Sequence, residues 1–533
     1  MDNEMFSMVL DTLKKIEKEK IQLESKLEMD LKGDFPEDLI RFMLGPDIGL
    51  HLIFIPEQYG GLGASASQVA VLSEKMAKID MGVATSFLAI CLGMDPIRVY
   101  GTEEQKERYI RRIAEEGLIV GYGVTEPEAG SNVQALKTRA ERVLDGEGKI
   151  KGYTLNGQKQ FITNGGVADL YTILADTPEG PSFFIAERGI DGLVYGQHED
   201  KHGIRASNTA PLTLEDVFIP AEGLIGGIEG TGLKQANKVF GYTRLMVATF
   251  GLAAASSALE KVISYAKERV QFGTTLSEKQ GYTHKLLVPN AVRLEGARAY
   301  VEEVAKRIDS GEEDLHVEGS IAKYFSTEVG DAMANDAIQA LGGYGYIREY
   351  EVEKIKRDVK ITTIFEGTSE IQQSIISVFR LRTTLHTKGA YYGDMADALS
   401  KLGEESGGPV AAEALRILNE LLSVSRNIKI MKSQYLMFLL ADMMTWAEVS
   451  NALCQKAVSK DREKTFSDDF MLAASRLFAR EALEKIYINA LKILQGGRGE
   501  NPALLEKLNS MSPGNFFEDS LKDMDLVASE LVS

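Results

Sequence analysis

The 533-residue chain carries 78 acidic against 60 basic side chains, a net charge of −18, which disfavours binding of nucleic acid or an anionic membrane by the surface as a whole. Hydrophobic residues at 44% and charged residues at 26% suit a globular protein of two to four domains with ample core. Two distant cysteines, Cys91 and Cys454, argue against a disulfide framework or a thiolate metal site, and fit a reducing compartment.

The first twenty residues mix Asp, Glu and Lys without an apolar core, unlike a signal or transit peptide. No apolar run reaches the length of a bilayer span, so no spanning helix is expected. Residues 1–120 form a helical domain in this reading, with Val69, Leu72, Met76 and Ile79 at helical spacing. Gly60–Gly63 reads as a loop and Asp95-Pro96 as a break.

From 121 to 235 the texture is β. Short runs at 152–156, 158–163, 170–174, 182–187 and 211–219 are separated by turns, with Asp145-Gly146 and Asn156-Gly157 as hairpin signals. This predicts a small antiparallel barrel or sandwich inserted between helical parts. Helices return near 237–271, 279–309 and 317–341, giving a bundle domain over 236–384. A helical extension follows over 385–533, with helices at 412–424, 433–456 and 468–494 and linkers at 387–392 and 403–409. The fold class is mainly α with an inserted β domain.

Five segments carry chemistry. Tyr122–Asn132 joins the first helical part to the β part, and its hydroxyls and backbone could bond a polar heterocycle or phosphate. Phe161 and Thr163, two apart on a strand, offer a ring to stack and a hydroxyl to donate from one side. Arg269–Gly273 ends a long helix with a cation that could meet a phosphate. Gln339–Tyr346 is a glycine turn after a helix. Last, a β-branched run at 361–364 leads to Glu366-Gly367, with Ser369 and Gln372 at capping-box spacing. A carboxylate at a sharp turn beside apolar Phe365 can be held partly dry, which raises its proton affinity and suits a base. Taken alone, each segment is also an ordinary turn or cap.

In their order and spacing the five segments resemble the acyl-CoA dehydrogenase family of flavoproteins, over roughly residues 30–380. The resemblance implies a helical domain, a β domain and a four-helix domain, with FAD between the β and second helical domains and reaching across a subunit contact. It implies that Tyr122, Val124 and Thr125 line the flavin, with Phe161 and Thr163 on its other side. Ser131 would contact cofactor phosphates or the substrate's pantetheine. Arg269 and Phe272, with Gln339 and Gly343, would hold the pyrophosphate and adenosine part. Glu366 would be the catalytic base, Gly367 and Thr368 would border substrate and flavin, and Arg244 would lie near the base. The implied reaction removes an α-proton from an acyl-CoA while a β-hydride passes to the flavin, giving a trans-2-enoyl-CoA. The thioester carbonyl would bond the Glu366 N–H and a ribityl hydroxyl, and an electron-transfer flavoprotein would reoxidise the cofactor.

The chain departs from the family at three places. Phe161 stands where tryptophan is common, Asn132 where aspartate is common, and Thr243 where some branched-chain and long-chain members carry their base. Apolar Ser86–Ile90 suggests a deep pocket for a medium-to-long straight chain. The extension resembles that of very-long-chain members and implies a homodimer. Arg426, Lys429 and Lys432 on one apolar stretch would suit a membrane-surface helix, although a packed helix with its basic residues in solvent is the favoured reading. His198 and His202 fall in a β-region loop, where a spacing of four does not align ligands, so no metal is expected. Trp446 and the methionines 431, 437, 443 and 444 read as core. The acids at 302, 303 and 312–314 read as a solvated face. Fatty-acid β-oxidation in a cytoplasmic setting, or a mitochondrial matrix if eukaryotic and processed, completes the expectation. The alternatives are a dehydrogenase of an aromatic-pathway or sulfur-containing thioester and, more distantly, a flavin-binding nucleic-acid-associated protein of this fold.

Overall fold

The computed structural model describes residues 1–425, 430–462, 464–496, 501–511 and 517–533, and at 240–242 the backbone alone. The chain divides into two compact units, one of Met1–Met246 with Arg357–Ile361, the other of Val247–Lys356 with Thr362–Ser533.

The first unit combines helices with a seven-stranded sheet. Its strands are β1 (Val120–Gly123), β2 (Arg139–Leu144), β3 (Ile150–Thr163), β4 (Leu170–Thr177), β5 (Gly180–Glu187), β6 (Leu193–Tyr195) and β7 (Thr209–Pro220). They lie in the order β1-β4-β2-β3-β7-β6, with β5 also on β4. The sheet is mixed rather than purely antiparallel, because β1 runs parallel to β4 and β2 meets β4 in parallel at Arg139 and Asp176. β4 is buried along nearly its whole length, which explains a continuous apolar run in place of alternation.

Two turn signals behave differently. Asp145 does turn the chain, its carboxylate accepting the N–H groups of Glu147 and Lys149 at 2.9 Å. Asn156-Gly157 does not; β3 runs through it, and the pairing with β7 shifts register there. The Asn156 side chain instead clasps Asp216, donating to its carboxylate at 3.0 Å and accepting its N–H at 2.8 Å. Asp216 has φ 52°, so a bulge takes the place of the expected hairpin. Asp95-Pro96 likewise lies inside one helix, Met81–Tyr100. That helix packs closely on β1, since a Cβ on Gly93 would stand 2.7 Å from Val120. It and the helix Gly232–Glu268 are long and apolar enough to cross a bilayer by length and composition, and both are mostly buried within the protein.

Among its described residues the second unit is helical, apart from loops and one hairpin of two-residue strands, Val270–Gln271 and Thr274–Thr275. Its long helices after residue 247 include Val288–Asp309, His316–Leu341, Ser369–His386, Gly408–Val424, Gln434–Val458 and Asp468–Gly496. A further helix, Ala390–Leu399, begins inside the 387–392 stretch read as a linker. Glycines allow one close helix crossing: a Cβ on Gly251 would lie 2.2 Å from the Ser326 carbonyl oxygen, and one on Gly330 2.6 Å from that of Gly251. Trp446 stands edge-on to Phe325 at 5.2 Å and stacks on Phe478 at 5.1 Å. Met437, Met443 and Met444 are buried as expected of core, but Met431 is exposed.

A polar knot joins the helices on either side of residue 385. Arg380 donates to Glu448 at 2.8 and 2.9 Å and to Glu318 at 2.9 Å, and Tyr300 and Tyr392 donate to the same Glu448. Of the acids expected to be a solvated face, Glu312, Glu313 and Asp314 are exposed, while Glu302 and Glu303 are half-buried. Glu302 pairs with Lys456, and Arg307 with Glu312 and Glu318. Burial, only partly offset by Arg307, raises the proton affinity of Glu303.

Phe478→Ala removes a ring shared by Trp446 and Phe325, and should cost about 3–5 kcal/mol. Thermal unfolding followed by circular dichroism should show the loss as a lower Tm for the helical unit.

Candidate active site

Glu366 ends a turn that follows a short 3-10 helix, Ile361–Thr363, so the β-branched run at 361–364 is not extended. The φ of Glu366 is 55° and that of Gly367 is 91°. A left-handed non-glycine residue costs on the order of 1–3 kcal/mol and persists only where its surroundings hold it. Two side chains do so here. Gln372 Nε2 donates to the carbonyls of Glu366 at 2.9 Å and Gly367 at 3.1 Å. Lys323, fully buried on the 316–341 helix, donates from Nζ to the Gly367 carbonyl at 2.7 Å. A Cβ on Gly367 would stand 2.6 Å from Gln372 Nε2, so the clamp needs glycine there. The expected capping box at Ser369 and Gln372 is absent. Thr368 is the cap, its hydroxyl accepting the Ile371 N–H at 3.4 Å, while Ser369 bonds Glu328 at 2.5 Å. Glu366 as a whole residue is half-buried.

In the first unit, Val124 is buried, Tyr122 and Thr125 are half-buried, and Ser131 is exposed. Tyr122 stacks on Phe183 at 5.6 Å. Asn132 opens only a 3-10 turn, Val133–Ala135, without a side-chain capping bond. The loop is pinned from beneath by Lys159, fully buried in mid-β3, which meets Glu126 at 2.7 Å and the Val124 carbonyl at 3.3 Å. Glu126 also accepts the N–H groups of Lys137 at 2.5 Å and Thr138 at 3.1 Å. Burial pulls the Lys159 ammonium down to about 8, against the pull of Glu126. For Glu126 burial works upward, but Lys159 and the loop donors outweigh it and leave the carboxyl below its usual range.

One strand position further on, Gln160 donates its N–H to the Thr125 carbonyl at 2.9 Å. Phe161 then takes φ 59°, at a second register shift of β3 against β7, and turns a 63%-exposed ring outward. Ile162 is buried and Thr163 half-buried. Phe161 therefore presents its ring from a bulge, not from a regular strand. Arg244 is buried in the 232–268 helix, and Thr243 beside it donates its hydroxyl to the Val239 carbonyl at 3.2 Å.

In the second unit, Arg269 lies over the Tyr344 ring at 5.6 Å, bringing the helix end and the 342–346 turn together. Gln339 is exposed and its carbonyl takes the Gly342 N–H. Phe272, at φ 54°, is 97% exposed. Nothing lies within 4 Å of where a Cβ would stand on Gly342 or Gly343. Exposed aromatic rings, an arginine and an open glycine turn suit the flat rings and charged phosphates of FAD.

Other expected sites read differently. Ser86 and Phe87 are fully buried; Phe87 packs against Phe54 at 6.0 Å, and the Ser86 carbonyl accepts from Asn164 at 2.9 Å. His198 accepts the Thr209 N–H at 3.1 Å, with Lys201 on its other nitrogen at 3.3 Å. Among the described residues no group of three or more His, Cys, Asp or Glu could hold a metal. Arg426 and Lys429 lie outside the described residues; Lys432 ends a short turn, Ile430–Lys432. Lys159 and Lys323 carry no role in the sequence reading, and Gln372 enters it only as a capping residue, not as a clamp on the turn. For Lys323 a signal was present, since a cation between Ile321-Ala322 and Tyr324-Phe325 has to find a buried partner; Lys159, between Gln158 and Gln160, gave none.

Three family models match the chain: the acyl-CoA dehydrogenase N-terminal domain over residues 3–117, the middle domain over 121–217 and the C-terminal domain over 230–379. The chain is 38% identical over 364 residues to a short-chain-specific acyl-CoA dehydrogenase of Megasphaera elsdenii, covering 67% of this chain and 92% of that one. It is 36% identical over 358 residues to a cyclohex-1-ene-1-carbonyl-CoA dehydrogenase of Geobacter metallireducens, covering 66% and 91%. The crystal structure of an acyl-CoA dehydrogenase complexed with FAD from Bacillus anthracis superposes with a TM-score of 0.84 at 26% identity, covering 100% of this chain and 95% of that one.

Lys159→Met leaves Glu126 buried without its counter-charge and should destabilise the first unit by about 3–5 kcal/mol, measured by chemical denaturation. The carboxyl of Glu126 titrates below its ordinary 4.5. Its stabilising contribution is therefore present above pH 4.5 and lost as the pH falls through the lower, folded value. The stability gap between the native protein and Glu126→Gln should accordingly narrow below pH 4.5.

Proposed function

This chain belongs to the acyl-CoA dehydrogenase family, and from that footing we propose that Glu366 is the base of its FAD-dependent α,β-dehydrogenation of an acyl-CoA thioester. The observation that carries this role is the left-handed Glu366-Gly367 turn, clamped from beneath and lying within the family's C-terminal domain match.

FAD, when bound, supplies the acceptor for the β-hydride. The protein supplies position and proton transfer. Phe161 offers a ring face, and Thr125, Thr163, Tyr122 and Val124 offer hydroxyls and backbone groups for the flavin edge. Arg269, Phe272, Gln339 and Gly343 suit the pyrophosphate and adenosine end, with Thr368 bordering the cofactor. Ser131, Arg244 and Gly367 contact or flank the thioester. With the turn held rigid, the Glu366 N–H can bond the thioester carbonyl, a contact worth roughly 3 kcal/mol as enolate character develops. The carboxylate takes the α-proton, and the product is a trans-2-enoyl-CoA.

The substrate within this class is proposed to be a medium-to-long straight acyl chain used in fatty-acid β-oxidation. A relative named for short-chain substrates and another for a cyclohexene carbonyl thioester keep an unusual acid as the second reading. An electron-transfer flavoprotein is the proposed electron acceptor, the cytoplasm the proposed setting, and a homodimer the proposed assembly. The dimer reading is supported by the extra helices after residue 385, which pack against the 288–309 and 369–386 helices.

Glu366→Gln should lower turnover by about 10²–10⁴-fold while bound flavin keeps its absorbance. Undiminished turnover in that variant means the base is elsewhere. Anaerobic bleaching of bound flavin by a panel of acyl-CoAs should be fastest for medium-to-long straight chains; faster bleaching by a cyclic or sulfur-containing thioester selects the second reading. Light scattering should give the mass of two chains, and the mass of four removes the dimer.

A further inference from the structure

We propose that Lys323 and Gln372 are positioning residues for the base, acting through the backbone of the Glu366-Gly367 turn. The inference rests on Glu366 being that base and adds what keeps it aimed.

A left-handed glutamate followed by a left-handed glycine is not a conformation the local sequence prefers; a glutamate relaxes to φ below zero unless something opposes it. Relaxation swings both carbonyls of the turn. Three donated bonds oppose it: two from Gln372, one helical turn along the following helix, and one from Lys323 on a different helix. The Lys323 carbonyl in turn accepts the Thr327 hydroxyl at 2.8 Å. Because Lys323 and Gln372 are both fully buried, the clamp is anchored in packed helices and does not drift with solvent. A neutral amide alone would hold the carbonyls to the 369–386 helix only. The ammonium ties the same turn to the 316–341 helix, so the base is triangulated between two rigid elements. A charged donor also makes the stronger bond. A misplacement of 1 Å at a reacting group can cost a hundredfold in rate.

The test uses the flavin-loaded full-length enzyme with Lys323→Met and, separately, Gln372→Leu, both close in shape to the native side chains. In each, kcat should fall 10- to 100-fold with KM changed less than threefold. The kinetic isotope effect with α-deuterated acyl-CoA should rise, because proton removal becomes more limiting. Amide hydrogen exchange in a peptide covering 361–372 should quicken at least tenfold, while a peptide covering 408–424 stays unchanged. Normal kcat and unchanged exchange at 361–372 in both variants overturn the clamp. So does loss of bound flavin or of the folded state in both, which would assign the pair to stability alone. Glu366→Gln, run in parallel, separates the two claims: if it keeps full turnover, the base assignment fails whatever the clamp variants do.

Discussion

The site depends on a backbone conformation that its own residues do not favour. Glu366 at φ 55° stores strain of a kind that a helix or strand could not supply, and releases it if the carbonyls of 366 and 367 are let go. Gln372 and Lys323 hold those carbonyls, and Gly367 is required because Gln372 comes within 2.6 Å of where a Cβ would be. A carboxylate that must meet one proton of a bound thioester gains from such a mount. Its reach is set by packed helices, not by loop mobility.

The same device appears in the first unit. Phe161 is also left-handed, and also neighbours a fully buried lysine. Lys159 secures the Glu126 loop from below, while Gln160 ties β3 to Thr125. The loop read from sequence as a set of hydroxyls is thus a rigid shelf, and the ring beside it is turned outward by a bulge. Buried charge is costly unless paired and hydrogen-bonded. Here Glu126 takes Lys159 and two backbone N–H groups, which meets that condition.

The region beyond residue 380 is not an appended arm. Arg380 and Glu448 bind helices from before and after it with three buried acids and phenols, and Phe478 fills the space that Gly296 leaves open. Arg293 meets Glu481 at 2.6 Å, and Tyr324 and Gln373 meet Asp442 at 2.7 and 2.8 Å. The helix that carries Lys323 is therefore buttressed by the extension. The family domain models stop at 379, yet the physical body that holds the base runs on to the chain's end.

Local pattern in the sequence was enough for much of this. Helical spacing located the helices at 412–424, 433–456 and 468–494 to within a few residues, because each has an apolar stripe that must be buried. Glu366-Gly367 stood out only in company: alone it reads as an acid at a helix start, and its order and spacing with the other four segments gave it a role. Where the reading failed, a distant partner decided. Asn156-Gly157 stayed in a strand because Asp216 offers it a cross-strand clasp, and Pro96 stayed in a helix packed on β1. The sequence alone determined the order of elements and the residue types available for chemistry, since periodicity and composition are local. Only the tertiary structure decided that Lys323, 43 positions before Glu366, and Lys159, 33 after Glu126, are their supports. Which buried cation meets which carbonyl or carboxylate is settled by how helices and strands cross, and no local preference encodes that.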